Sequence, residues 1–187
     1  MYDGGGTMII TLQEISLMSE PLIFKPRRSA GWAWLAGIGL ICVGFGVLTA
    51  LPLIQAGAAA PVLLTALLAP AFGVPFLLLA LWFPTMRYEL GHDVLTLRYG
   101  PVLTYRIPLD EIEAIRRRDL SISLWSSMRL PGFAAFTVPY NDVGNVRMCA
   151  TAAGNGILLI ETDNAKYGLT PDDEAGLVAA LQARMGC

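Results

Sequence analysis

The chain has 187 residues, of which 55% are hydrophobic and only 15% charged. Soluble domains carry about 25% charge, so this composition points to a bilayer and leaves room for one ordinary domain beside an anchor. The net charge of −2 gives no sign of a nucleic-acid partner, and Cys42, Cys149 and Cys187 are too scattered for a metal cluster or an evident disulfide.

Residues 1–31 read as a cytoplasmic N-terminal segment. Gly4-Gly-Gly6 is flexible by composition, and Met8 and Met18 are alternative starts. Ile9, Ile10, Leu12, Ile15 and Leu17 are spaced for a short amphipathic segment on a membrane surface. The stretch from Met18 to Arg28 reads as a cytoplasmic beginning and carries Lys25, Arg27 and Arg28.

No residue from 32 to 85 is charged. The run divides at 55–61, where small residues end in Pro61. Two transmembrane spans are expected, at 32–54 and 62–83, together a hairpin over 32–83. As a helix the first would be roughly 35 Å long, against a hydrocarbon core of roughly 30 Å. Neither span has a polar face to meet water, which argues against two soluble core helices. The late start and the length argue against a cleaved signal peptide. Trp32, Trp34, Trp82 and Phe83 stand at the span ends, the level that aromatic side chains favour.

Basic residues set the expected orientation. Lys25, Arg27 and Arg28 precede the first span, Arg87 follows the second, and the loop has none. The positive-inside rule then puts both termini in the cytoplasm of a multi-pass inner-membrane protein. Ala33 with Gly37, and Gly46 with Ala50, allow close helix approach, within the hairpin in preference to a dimer. Pro70 and Pro75 predict a kink. A transport site at a broken helix needs polar groups at depth, and this span offers only Thr65, so a small transporter subunit is the least supported function.

A domain over 84–187 follows, and its pattern changes to period two. Met86, Tyr88 and Leu90 alternate with charged residues, then Leu95, Leu97 and Tyr99, then Leu103, Tyr105 and Ile107. Turn residues at Gly91-His-Asp93 and Gly100-Pro101 separate them. This predicts an antiparallel meander with one buried face. Further strands are expected over 113–118, 133–138, 143–151, 156–162 and 166–169. Thr170 is the expected N-cap of a final helix, with Pro171 at its first position and Asp172, Asp173 and Glu174 near its positive end. Leu177, Val178, Leu181 and Met185 form its apolar stripe. The expected fold is mainly β: a small antiparallel barrel capped by that helix.

The segment Tyr88-Glu-Leu-Gly-His-Asp-Val-Leu-Thr-Leu97 is followed by Ile107-Pro-Leu-Asp-Glu-Ile112, Pro131-Gly132, Gly144, Leu158-Leu-Ile-Glu-Thr162 and Thr170-Pro-Asp-Asp173. In this order they resemble bacterial pleckstrin-homology (PH) domains, in particular membrane-anchored members of unassigned function. The resemblance covers about 86–185. It implies a PH-like barrel.

No catalytic constellation is evident, and an enzyme is not expected. His92 is the only histidine and lies in a turn. Metal and cofactor are not expected either, because one histidine and scattered cysteines cannot supply a standard zinc site. Arg116, Arg117 and Arg118 are the one concentrated feature. They read either as a site for anionic lipid headgroups or as a solvated strand edge. Alternation favours the edge, because it turns Arg117 one way and Arg116 and Arg118 the other. Lys25, Arg27 and Arg28 are the other candidates for an anionic lipid or a partner. Only Pro84 and Thr85 separate the second span from the first strand, so headgroup affinity is not needed for recruitment. The expectation is a non-enzymatic interaction or scaffolding module at the cytoplasmic face, with a protein partner or self-association beside the bilayer. A headgroup sensor is the alternative.

Overall fold

A computed structural model describes residues 21–121 and 129–186. The expected amphipathic segment within 1–17, and Cys187, lie outside the described residues.

Two long helices come first, α1 (Gly31–Gln55) and α2 (Ala60–Trp82). Both are long and apolar enough to cross a membrane. They pack as a hairpin through small residues. A Cβ at Gly46 would lie 2.1 Å from the Pro70 ring, and one at Gly73 only 2.8 Å from the Gly39 carbonyl oxygen. The pair Gly46 and Ala50 therefore serves the hairpin. Gly37 has no such neighbour and faces away from α2. α2 remains one helix through Pro70 and Pro75. The outer surface stays apolar and uncovered, with Ile41 72%, Leu48 74% and Leu68 68% exposed.

The rest is two sheets. The first contains β1 (Leu22–Phe24), β2 (Arg87–Leu90), β3 (Val94–Tyr99) and β4 (Leu103–Pro108), in that order and antiparallel. β3 buries every second residue, as its alternation requires. The second sheet contains β5 (Ile112–Arg118), β6 (Arg129–Leu130), β7 (Phe133–Tyr140), β8 (Gly144–Ala150), β9 (Ile157–Thr162) and β10 (Lys166–Leu169). Its order is β5-β9-β10-β8-β7-β6.

This corrects the expected antiparallel barrel in two ways. The sheets are not joined into a closed barrel. Pro108 lacks an N–H to extend the ladder, and the tight 3-10 turn Leu109–Glu111 redirects the chain into the second sheet. Nor is the pairing wholly antiparallel. β10 slots between β8 and β9 and runs parallel to β8, with Tyr167 opposite Arg147. β9 consequently lies inside the sheet and buries Ile157 to Ile160 on both faces.

One apolar cluster joins the sheets to both helical parts. It unites Tyr88, Leu95, Leu97, Ile107 and Ile160 with Leu177 and Leu181 of the last helix and with Leu35 and Leu79 of the hairpin. The Tyr99 hydroxyl donates to the Leu79 carbonyl at 2.6 Å, and the Phe83 and Phe133 rings meet at 6.1 Å between centroids. A second cluster, with Val138, Val146, Met148 and Leu159, fills the other face of the second sheet.

The last helix, α3 (Glu174–Met185), starts later than expected. Asp173 is its N-cap, accepting from the Gly176 N–H at 2.9 Å. Thr170 is buried and engaged elsewhere. Its hydroxyl accepts from the Thr151 N–H at 2.8 Å, its N–H donates to the Tyr88 hydroxyl, and its carbonyl accepts from the Arg27 N–H. These tertiary bonds hold 170–172 out of the helix. Leu177 and Leu181 are buried, whereas Met185 at the end of the stripe is exposed.

Burial raises three acids in this core. It lifts the Tyr88 and Tyr99 phenols above the usual tyrosine value and pushes the Cys149 thiol up to about 12. The unfolded chain releases these protons from about pH 9 for the thiol and about pH 10 for the phenols. The folded chain keeps them, so it binds more protons there and its stability falls as pH rises through that range. Melting of the full-length protein in detergent at stepped pH above 8 should show a steady alkaline decline. A flat profile to pH 11 would contradict the burial of these groups.

Candidate functional site

The segment before α1 places the basic residues. Leu22-Ile-Phe24 adds an edge strand to β2, with Ile23 opposite Glu89. The chain then crosses to the start of the last helix. The Arg27 N–H donates to the Thr170 carbonyl at 2.7 Å, and the Asp172 N–H to the Lys25 carbonyl at 2.9 Å. Ser29 next donates its hydroxyl to the Gly132 carbonyl at 2.6 Å and accepts from the Gly31 N–H, where α1 begins. Residues 22–31 are thus fixed along the domain at four points.

Between this segment and the end of α2 lies a cleft of about 630 Å³. Lys25, Arg27, Arg28 and Trp32 line one side, and Phe83, Pro84, Thr85, Met86 and Arg87 the other. Among the described residues no acidic side chain lines it. Two of its cations have partners on the domain. Arg27 pairs with Glu174 at 3.7 Å and Arg87 with Glu89 at 2.5 Å. Lys25 and Arg28 are exposed and have no ion pair among the described residues.

The arginine run of β5 is elsewhere. Among the described residues, β5 is an edge strand paired only with β9. Arg117 reaches Glu174 at 3.7 Å, beside Arg27. Arg116 and Arg118 project from the opposite face of the strand. The structure therefore divides the run and brings one member to Arg27 across a shared carboxylate. None of the three lines the cleft. Arg87, by contrast, joins Lys25, Arg27 and Arg28 there. It stands in the sequence as a charge after the second span, and its distance along the chain hid the meeting.

Other polar groups are accounted for locally. His92 is exposed and contacts its neighbour Asp93 at 2.5 Å. Arg147 lies against Tyr105 and Tyr167, at 6.0 and 5.6 Å from the ring centroids, and its Nη1 donates to the Tyr167 hydroxyl. Glu113 is held above the usual carboxylate value chiefly by its hydrogen bond with Asp163. Among the described residues, no group of three His, Cys, Asp or Glu is placed to hold a metal ion.

The family model described as a bacterial PH domain matches residues 86–185, more than half of the chain. The chain belongs to the bacterial PH domain family. No match was found among curated proteins or among solved structures. The PH domain runs from the start of β2 to the end of α3, and it marks the chain as a module for lipid or protein interaction. β1 pairs with the PH domain but lies outside the matched residues, as do Lys25, Arg27 and Arg28. The cleft thus takes Met86, Arg87 and Thr151 from the PH domain, and the rest of its lining from the segment before the helices and from their domain-side ends.

Proposed function

We propose that this protein is a non-enzymatic interaction module, anchored by its helical hairpin in the inner membrane with the PH domain on the cytoplasmic side. One observation carries the reading. α2 leaves its apolar stretch at Trp82 and enters β2 through a single turn at Phe83–Thr85, while its Leu79 is already part of the domain core. Helices that expose Ile41, Leu48, Leu68 and Leu81 need an apolar surrounding. The basic residues at the domain end of both helices, and their absence from the 56–59 connection, favour the cytoplasmic side for the domain. Such a module is resident at the membrane and displays one fixed surface to its partners.

Two chains test this, each made with Cys42→Ala/Cys187→Ser so that the buried Cys149 is the one native thiol left: Ala59→Cys in the connection and His92→Cys in the exposed β2–β3 turn. In intact cells a membrane-impermeant maleimide should label Ala59→Cys and spare His92→Cys until the membrane is opened. Labelling of His92→Cys in intact cells would reverse the topology. Recovery of the chain in the soluble fraction would remove the anchor altogether.

A further inference from the structure

We propose that the cleft between the N-terminal strand and the helix ends binds the phosphate group of an anionic membrane lipid. This rests on the membrane-anchored reading and adds a ligand and a site to it. Three observations converge. The first is composition: Lys25, Arg27, Arg28 and Arg87 line the cleft and, among the described residues, no acid does. Two of them are open to a ligand, since Lys25 and Arg28 have no carboxylate partner among the described residues. Guanidinium groups match phosphate oxygens in a fork, and an ammonium adds a point charge.

The second is level. Trp32 opens α1 and Phe83 follows α2, so the cleft lies where the apolar helices end and the domain begins. That is headgroup height in a bilayer. Trp32 is 55% exposed beside it, at the level where indole rings settle. The third is shape. The volume falls within the range of about 300–1,000 Å³ usual for small-molecule sites. Its apolar walls, Ile23, Phe83, Pro84 and Met86, stand next to the cations. A ligand with an anionic head and a hydrocarbon continuation fits both parts. A soluble anion would use only the first.

The site is built by backbone, not by loose side chains. The bonds from Arg27 to Thr170 and from Asp172 to Lys25 fix the chain that carries the cations. A bound lipid would therefore bridge the N-terminal segment, the hairpin and the PH domain.

The test uses the full-length protein in detergent micelles doped with phosphatidylglycerol or phosphatidylcholine, with retained lipid counted by native mass spectrometry. The wild type should retain phosphatidylglycerol in preference. Each basic side chain at an anionic surface contributes roughly fivefold. Lys25→Gln/Arg28→Gln should therefore lose at least about tenfold of that preference. Arg116→Gln/Arg118→Gln removes the same charge elsewhere and should keep it. Equal retention of the two lipids by the wild type, or equal loss in both variants, overturns the site. Excess inorganic phosphate should not displace the lipid; displacement would make the ligand a free anion instead. Flotation of each variant with vesicles of either lipid reports insertion separately. Failure to float overturns the anchored reading, whereas flotation without lipid preference overturns only the cleft.

Discussion

Leu181→Asp is expected to unfold the domain, and Leu181→Ala to cost it about 2–5 kcal/mol. α3 contributes just two fully buried side chains, Leu177 and Leu181. Both belong to the cluster that holds Leu95, Leu97, Ile107 and Ile160. This helix and the hairpin both pack on the cluster that the two sheets share. Truncation leaves a cavity that strands on two sheets must share. Aspartate places an unpaired charge there, with no cation in the cluster to meet it. Cys149 lies in the same cluster and reports the outcome. In a full-length chain carrying Cys42→Ala/Cys187→Ser, its thiol should resist modification until denaturant opens the core. The midpoint should fall for Leu181→Ala, and Leu181→Asp should react without denaturant. An unchanged midpoint for both would detach α3 from the core.

The second large effect is expected at the joint between hairpin and domain. Gly31→Val should destabilise by about 1–3 kcal/mol or more, and Gly37→Ala, six residues on, should not. A Cβ at Gly31 would stand 2.1 Å from the Gly132 carbonyl oxygen and 3.0 Å from the Phe133 Cβ. The first obstacle is backbone and cannot rotate away. Gly132 itself has φ +80°, so both sides of the contact are glycine for a reason. The Ser29 to Gly132 bond would be lost with the approach. At Gly37 a Cβ meets nothing within 4 Å. There alanine relieves the cost of a helical glycine, worth about 0.5–1 kcal/mol. Melting temperatures of the two variants in one detergent should move in opposite directions. A parallel shift would place Gly31 outside the joint.

Much of this fold was legible because its signals are local. The absence of charge from 32 to 85 marks both long helices, and α1 and α2 begin and end within two residues of the expected spans. β3 follows from strict alternation, and its partners β2 and β4 follow from the turns between them. What was not legible is long-range. Nothing in Lys166–Leu169 announces that β10 inserts between β8 and β9, because a strand's periodicity does not name its neighbour. β1 is three residues between prolines, too short to show a period. Thr170 has the chemistry of an N-cap, yet its hydroxyl serves the Thr151 N–H, a bond between distant residues.

The candidate site divides the same way. Lys25, Arg27 and Arg28 were visible as a basic run, but that Arg87 stands across a cleft from them was not. The run at Arg116 to Arg118 looked like one feature and is split by the pleat of its strand. Its middle member meets Arg27 only because Glu174 lies between them in space.

The shared core of hairpin and domain turns the helices into a lever. Leu35 and Leu79 are packed with the strands, and Tyr99 is bonded to α2, so no hinge separates the two parts. α1 is 25 residues long, about 37 Å, and exceeds a hydrocarbon core of roughly 30 Å. Helices absorb such an excess by tilting, and the tilt follows bilayer thickness. A PH domain on a flexible stalk would ignore that change. Under the membrane-anchored reading proposed above, it would rotate with the helices, and the surface it presents would swing through the same angle as the membrane thins or thickens.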